Sequence, residues 1–322
     1  MLRAFVLVAA ACGSVTSPTQ PDASGDPTGD ATPDGVAPSV TSVQPADGAA
    51  GVAANAVIVI GFSEPMDAAS VEAAWTSAAL PGAAVALSWN AAGDTLTITP
   101  SAPLELAEGT GLDPSTVVPR AYEVGLATTA TDRSGVALAA PLTVGFTTKR
   151  RMTVDLAPIG TLTRTMRGDG LVLGDTAVTL TVGDTTGNLQ YKTFASFVLP
   201  ELPAGGSLEA AQLGAAQNSV VNNAYLLGTL DALHVNTATI DAAAFGAAPL
   251  AAIGVLSATA TTGRKTIDVK AAIADDLAQR VARGGRTQYR LQFPTPTNSD
   301  GVSDEARFSR SGFGLSLTYL AD

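Results

Sequence analysis

Apolar and polar residues alternate in many short runs along the chain after residue 38. A period of two is typical of β-strands that bury one face, whereas helices repeat about every 3.6 residues. The clearest runs are 57–62, 96–99, 121–126, 144–147, 178–182, 193–197, 288–293 and 314–319. Clusters of glycine, aspartate and proline separate them. We predict an all-β chain, with an antiparallel β-sandwich over 38–149 and a jelly-roll β-sandwich over 152–322.

One segment of the second half has helical spacing instead. Between residues 267 and 281 an aliphatic residue recurs at every fourth position: Val269, Ile273, Leu277 and Val281. Asp268 is a candidate N-cap, and Gly284 follows the last turn. The pattern predicts one short helix with these side chains on its buried face.

The first residues are typical of an export signal. Arg3 precedes an apolar stretch, 4–11, that is far shorter than the roughly 20 residues a membrane span requires. The run 7–13 resembles a bacterial lipobox, in which the cysteine, here Cys12, becomes the lipidated N-terminus. Gly13 stands where aspartate would signal inner-membrane retention, so the resemblance implies an exported lipoprotein at the outer membrane or cell surface. The alternative is an ordinary signal peptide cut after Ala11.

A polar segment, 13–37, follows the predicted signal peptide, 1–12. It contains four prolines, and its four aspartates recur every four residues with no lysine or arginine between them. Such a segment cannot bury enough apolar surface to offset its ordering entropy. We predict a disordered tether that lifts a folded domain off the membrane.

Composition narrows the possible chemistry. The 322 residues include 18 Lys and Arg against 29 Asp and Glu, a net charge of −11, which argues against a nucleic-acid partner. His234 and Cys12 are single examples of their types, which excludes disulfide frameworks and Cys/His zinc sites. Any Ser–His triad would need His234 as its base.

Several motifs of the first module occur in a characteristic order. The strand at 57–62 ends in Phe-Ser-Glu-Pro-Met-Asp at 62–67, preceded by Asp47-Gly48 and followed by Trp89, Tyr122 and a terminal 146–148. The segment resembles the bacterial Ig-like domain first described in S-layer proteins. That family supplies spacer and display modules, so the resemblance implies a non-catalytic role. An insert at 110–119 departs from the family pattern, and we expect it to lengthen a loop.

The second module shows a different order of motifs. The stretches 187–197 and 202–213, the predicted helix and the strand 288–293 follow one another. This order resembles a secreted β-module related to carbohydrate-binding jelly rolls and labelled by a DNRLRE motif, although the motif itself is absent. The resemblance implies contact with glycans.

Two polar clusters of this module are candidate sites. Oxygen-bearing side chains surround a glycine in 298–305 and suit calcium: Asn298, Asp300, Asp304 and Glu305. A polar Asp–Gly turn is the alternative. Four arginines lie within eleven residues: Arg280, Arg283, Arg286 and Arg290. They suit the carboxylates of uronates or the phosphates of lipopolysaccharide, whereas a solvated helix end is the alternative.

Aromatic side chains are scarce, at 5% of the chain, which disfavours a strong carbohydrate binder. Tyr225, Phe313 and Tyr319 are possible platforms for sugar rings, but packing in the core or at a sheet edge is the favoured role for them.

Three functions remain open on this basis. The leading hypothesis is a non-catalytic surface lipoprotein whose Ig-like spacer presents the jelly roll to an anionic glycan or another surface protein. The second is an architectural envelope or fibre subunit without a ligand. The third is a polysaccharide-acting enzyme that uses two carboxylates among Asp300, Asp304 and Glu305.

Overall fold

The computed structural model describes residues 35–173 and 178–322. Cys12, the predicted signal peptide and nearly all of the predicted tether lie outside the described residues. Within the two described ranges, no helix is both long and apolar enough to cross a membrane.

The first half forms a sandwich of two four-stranded sheets, ordered β1-β3-β6-β5 and β2-β9-β8-β4. Its buried core includes Ile60, Ile98, Val144 and Phe146. The strands of this half are β1 (Val40–Gln44), β2 (Ala49–Val52), β3 (Ile58–Phe62), β4 (Trp75–Thr76), β5 (Val85–Trp89), β6 (Thr95–Pro100), β7 (Ala107–Thr110), β8 (Ala121–Leu126) and β9 (Leu142–Thr148), of which β7 lies in neither of these two sheets. A helix, α1 (Ala68–Ala74), precedes β4.

Aspartates of the Ig-like motif hold turns in this first sandwich. Asp67 caps α1 by accepting a hydrogen bond from the Ser70 amide at 2.7 Å. Asp132 is buried and accepts hydrogen bonds from the amides of Ser134 and Val136, both at 2.8 Å. A cap of this kind typically contributes about 1 kcal/mol.

Among the described residues, the second half forms one continuous twelve-stranded sheet, which folds into two layers where β12 and β13 pair. The strands are β10 (Arg150–Leu156), β11 (Arg164–Arg167), β12 (Thr179–Asp184), β13 (Gln190–Val198), β14 (Ser207–Val221), β15 (Leu230–Val235), β16 (Ala251–Ser257), β17 (Gly263–Asp268), β18 (Arg286–Gln292), β19 (Glu305–Ser309) and β20 (Gly314–Ala321). The helices are α2 (Ala242–Gly246) and α3 (Lys270–Ala278).

We call the two layers the covered sheet and the open sheet. The covered sheet has the order β16-β15-β18-β13, with β11 along β13. The open sheet has the order β12-β19-β14-β20-β10-β7, with β17 along β14. Phe197, Tyr289, Phe308 and Leu317 meet between them as a continuous core. The predicted fold class, all-β with two consecutive sandwiches, is confirmed.

The helical content differs from the prediction of one short helix. The predicted segment, 267–281, forms α3 only from Lys270 to Ala278, because Ile267 and Asp268 pair with β14 at the end of β17. Val269 and Ile273 are buried as expected, but Val281 lies beyond the helix and is 94% exposed. The other two helices, α1 and α2, have only seven and five residues, too few for a clear period.

A shared sheet joins the two sandwiches. Only Lys149 separates β9 from β10, and β7 pairs in parallel with β10 from Arg150 to Thr153. The insert at 110–119 therefore does more than lengthen a loop, since it begins in a strand of the open sheet. The Tyr319 hydroxyl donates to the Gly111 carbonyl at 3.0 Å, and the Gly111 amide donates to the Thr153 carbonyl at 2.9 Å.

The basic cluster at 149–151 is part of this junction. Lys149 forms an ion pair with Asp322, and the Arg150 Nε donates to the Val117 carbonyl at 2.6 Å. Arg151 forms two hydrogen bonds with Glu209, at 2.7 and 2.8 Å. These bonds raise the pKa of Arg151 and lower the pKa of the Glu209 carboxyl. The cluster thus binds protein groups at the boundary between the sandwiches.

Candidate functional site

The outer surface of the open sheet is a polar area, which we call the open face. Strand pleating directs alternate side chains outwards, and across β7, β10, β20, β14 and β17 these are short and mostly polar. They include Thr110, Thr153, Asp155, Gln212, Thr266, Ser316 and Thr318, all exposed or half-buried. At the junction, a groove of about 330 Å³ is lined by Glu108, Thr110, Arg151, Thr153 and Thr318.

One arginine lies flat against the far part of the open face. Gly214 and Gly314 are register partners on β14 and β20, and the Arg264 side chain extends from β17 over both. A Cβ atom at Gly214 would lie 2.2 Å from the Arg264 Nη2. The two glycines therefore make room for an exposed guanidinium, which forms no hydrogen bond or ion pair with the residues that the structure describes. This is a donor suited to a carboxylate or phosphate.

The outer surface of the covered sheet is closed by contrast. Met166, Phe194, Val235 and Ala244 form a small core there, beneath β11 and α2. Lys192 donates to the Phe245 carbonyl at 3.0 Å and lies 4.1 Å from the centroid of the Phe245 ring. Burial, together with the nearby charge of Arg290, lowers the pKa of the Lys192 ammonium to about 8.

The four predicted binding arginines all bond to oxygens of the protein. Arg280 pairs with Glu201 at 2.8 Å. Arg283 pairs with Asp275 at 2.5 Å and with Asp276, and only 8% of its side chain is exposed. The two remaining arginines lie on β18 and donate to backbone carbonyls: Arg286 to Thr237 at 3.0 Å, and Arg290 to Ala247 at 2.7 Å. The structure therefore gives each guanidinium a different protein partner.

The single histidine belongs to a buried ion network that the sequence did not predict. The His234 Nε2 lies 2.9 Å from an Asp276 carboxylate oxygen, and each side chain is 1% exposed. His234, Asp275 and Asp276 bring one possible ligand atom each within 4.8 Å of the others. Arg283 already bonds to both carboxylates, and its hydrogen bond lowers the pKa of Asp275. This arrangement is that of a structural network.

Three of the four predicted calcium ligands are neighbours. The Asn298 Nδ2 donates to the carboxylates of Asp300 at 2.9 Å and Asp304 at 2.8 Å. Glu305 differs, because it starts β19 and accepts a hydrogen bond from Arg307 at 2.7 Å.

A further carboxylate at this end was missed. Asp184 ends β12, and its Oδ1 accepts a hydrogen bond from the Asp304 amide at 3.1 Å. Gly183 permits this approach, since a Cβ there would lie 1.9 Å from the Asp304 carbonyl oxygen. The two aspartates are 120 residues apart, so no local pattern indicates their contact.

Two of the candidate sugar platforms lie inside the sandwich instead. Phe313 and Tyr319 are 3% and 0% exposed, so both have the packing role that the sequence favours and neither is a platform. Both residues point inwards from the pleat of the open sheet or the turn before it. Tyr225 is half-buried, packs edge-on against Phe293 and donates its hydroxyl to Gln217 at 2.6 Å.

Comparison with known proteins identifies the first sandwich. Residues 34–148 match a family model described as bacterial Ig-like domain. This match confirms the resemblance for the first module. A search of curated proteins finds no match.

Similar solved structures match this chain only loosely. One is an L,D-transpeptidase from Mycobacterium smegmatis, 16% identical, with a TM-score of 0.25 and coverage of 58% of this chain and 64% of that chain. Another is the N-terminal part of the bacterial S-layer protein SbsC, 15% identical, with a TM-score of 0.24 and coverage of 51% and 40%. A third comprises SbsC domains 1–6, 15% identical, with a TM-score of 0.23 and coverage of 58% and 29%. The chain thus spans less than two thirds of each, and we carry no function over from them.

Proposed function

We propose that this chain is a non-catalytic bacterial cell-surface lipoprotein. In this proposal, lipid on Cys12 anchors the protein, and the Ig-like domain is a spacer. The second sandwich presents its open face to an anionic glycan or to another surface protein.

The observation that carries the proposal is the sheet shared across the junction. A flexible linker would let the two sandwiches reorient, but β7 and β10 bond them along four residue pairs. Met152 and Tyr319 are fully buried beside these strands, which adds an apolar contact to the hydrogen bonds. Because the junction is continuous, the Ig-like domain sets the position of the open face.

The chemistry of the open face supports contact with a polar ligand. Hydroxyl, amide and carboxylate groups on neighbouring strands match the hydroxyls of an extended glycan. Arg264 adds an exposed cation for a uronate carboxylate. A competing hypothesis is that the ligand binds the predicted arginine cluster, Arg280, Arg283, Arg286 and Arg290. Arg280 is suited to test this hypothesis, because 32% of its side chain is exposed.

A glycan array tests the proposal with the purified protein, in calcium and in EDTA. We expect uronate-containing glycans to bind, and Arg264→Ala to weaken binding about tenfold. The matched variant Arg280→Ala should bind like the wild type. If Arg280→Ala alone loses binding, the arginine cluster is the site. If the array shows no ligand, the glycan part of the proposal is wrong.

A separate experiment tests the anchor. Mass spectrometry of the exported protein should find a lipid-modified Cys12. The variant Cys12→Ala should be lost from the membrane fraction and appear in the soluble fraction. An unmodified N-terminus on exported protein would contradict lipidation.

One edge strand supports the alternative function, an architectural envelope or fibre subunit. β16 is an edge of the covered sheet and contains no charged residue, while Leu250 and Val255 beside and within it are 48% and 50% exposed. Edge strands without charges are prone to pair with other chains. Light scattering should then show assembly that grows with concentration and is lost in Val255→Lys, but kept in Val281→Lys. A monomer at all concentrations would reject this alternative.

A further inference from the structure

Two cations on the outer surface of the covered sheet converge on one carbonyl oxygen. Lys192 lies on β13, two residues from Phe194, which is the register partner of Arg290 on β18, so both cations lie on the same face of the sheet. The Lys192 Nζ donates to the Phe245 carbonyl at 3.0 Å, and the Arg290 Nη1 donates to the same oxygen at 3.4 Å. The Arg290 Nη1 also donates to the Ala247 carbonyl at 2.7 Å. A neutral backbone oxygen therefore occupies the position between two positive charges.

No carboxylate of the described residues balances these charges. Neither side chain forms an ion pair within residues 35–173 and 178–322. Arg290 is only 4% exposed, and its buried Nε has no hydrogen-bond partner among these residues. Burial lowers the pKa of the Arg290 guanidinium, and burial together with the charge of Arg290 lowers the pKa of Lys192. Since burying an unpaired charge is costly, this surface favours an anion.

Capping of α2 accounts for only part of this arrangement. Lysine and arginine commonly bond to the last carbonyls of a helix, where their charges also interact with the helix dipole. However, α2 has only five residues, so its dipole is small. The cap also leaves the Nε of Arg290 without a bond. This N–H group is available to an oxyanion, because guanidinium groups bind oxyanions through two parallel N–H groups.

The segment that covers the two cations is loosely held. We call this segment, residues 236–250, the strap; it connects β15 to β16 and includes α2. Ala244 is the only buried residue of the strap, all of which the structure describes. At its start, the Thr237 amide donates to the Gln288 Oε1 at 2.9 Å, and the Arg286 Nη2 donates to the Thr237 carbonyl at 3.0 Å. A segment with few buried apolar contacts opens at a low cost in free energy, and opening of the strap exposes both cations.

We propose that Lys192 and Arg290 bind a phosphate group beneath the strap, which opens to admit it. A phosphate monoester carries about 1.5 to 2 negative charges at pH 7 and so matches two cations, whereas a carboxylate carries one. Arginine pairs with phosphate oxygens through its N–H groups, and lysine adds a point charge. In the closed state the strap fills this site with its own carbonyl oxygens. The site lies on the opposite layer from the open face, and the proposal does not depend on glycan binding there.

Titration with sodium phosphate, against sodium chloride at equal ionic strength, tests the site in the purified protein. We expect the melting temperature to rise by several degrees at about 20 mM phosphate, because the ion binds only the folded chain. Hydrogen exchange followed by mass spectrometry should become faster in the strap at the same time, because binding holds the strap open. Glucose 1-phosphate distinguishes two sources of the group: tighter binding than inorganic phosphate indicates a phosphorylated glycan, and equal binding indicates the free ion.

Two variants remove the cations one at a time. Lys192→Met should weaken phosphate binding by about tenfold, and Arg290→Gln should abolish the thermal response. Arg264→Ala removes an exposed cation of the open face and should respond like the wild type. If Arg290→Gln does not fold, Lys192→Met decides.

A role of both side chains as helix caps alone predicts no phosphate response in the wild type, and that result would overturn the proposal. A response that is unchanged in Lys192→Met, that is lost in Arg264→Ala, or that comes without faster exchange in the strap would overturn it as well.

Discussion

The buried network around Arg283 gives the sharpest test of the structural interpretation. Arg283→Met removes the cation that bonds to Asp276, whose side chain is 1% exposed. Removing one partner of a buried ion pair typically costs about 3–5 kcal/mol. Asp275 is 44% exposed, so water can solvate its carboxylate once Arg283 is gone, and the loss of this second ion pair costs little stability. His234 still bonds to Asp276. We therefore expect the lower end of that range, about 3 kcal/mol.

Urea unfolding can assign this loss to the correct half of the chain. Both tryptophans, Trp75 and Trp89, belong to the first sandwich, so their fluorescence reports that sandwich alone. Circular dichroism reports the strands of both. Arg283→Met should move the second-sandwich component of the circular-dichroism transition to lower urea, while the fluorescence transition of the first sandwich stays in place.

A matched variant and a double variant complete the test. Arg280→Met breaks only the exposed pair with Glu201 and should cost less than about 1 kcal/mol. The double variant Arg283→Met with Asp276→Leu should lose less stability than the two single variants together, because no buried carboxylate is then left unpaired. Wild-type stability of Arg283→Met, combined with lost glycan binding, would refute the structural role and restore the ligand hypothesis.

Three further predictions concern the junction, a buried lysine and the first core. Gly109→Val should destabilise the protein by about 1–3 kcal/mol and speed protease cleavage between the sandwiches, because a side chain at this position would clash with packed side chains of the junction. Gly82→Val is the control, since the space around Gly82 is open. Burial lowers the pKa of Lys192 to about 8, so the folded state binds fewer protons than the unfolded state between about pH 8 and 10. As the pH rises through this window, the free energy of unfolding of the wild type should therefore increase by about 1 kcal/mol relative to that of Lys192→Met, allowing for solvent screening. Urea titrations at several pH values measure this difference, and a difference that does not change with pH would contradict the lowered pKa. Ile60→Ala, at a fully buried position, should lower the free energy of unfolding of the first sandwich, followed by tryptophan fluorescence, by about 2–5 kcal/mol. Val57→Ala, at 40% exposure, should leave this free energy nearly unchanged.

The sequence identified part of the polar cluster at the end of the second sandwich and missed the rest for a physical reason. Asn298, Asp300 and Asp304 are close in the chain, so a local oxygen-rich pattern brings them to attention. Asp184 reaches Asp304 through the pairing of β12 with β19, and pairing across more than a hundred residues leaves no local signal. The arginines show the reverse error. Their spacing suggested one binding cluster, but the fold gives each a separate oxygen partner.

The sequence by itself determined the class of the fold. A two-residue period over short runs admits little besides strands with one buried face, and the turn clusters limit their lengths. The Ig-like motif order was sufficient to identify the first sandwich.

Tertiary structure alone decided how the parts meet. Only folding places β7 beside β10, covers the outer face of the covered sheet with α2 and leaves the outer face of the open sheet exposed. It also buries Arg283 and Asp276 beside His234. Each of these depends on contacts between distant segments, whose energies arise from burial and pairing in three dimensions and are not encoded in any local pattern.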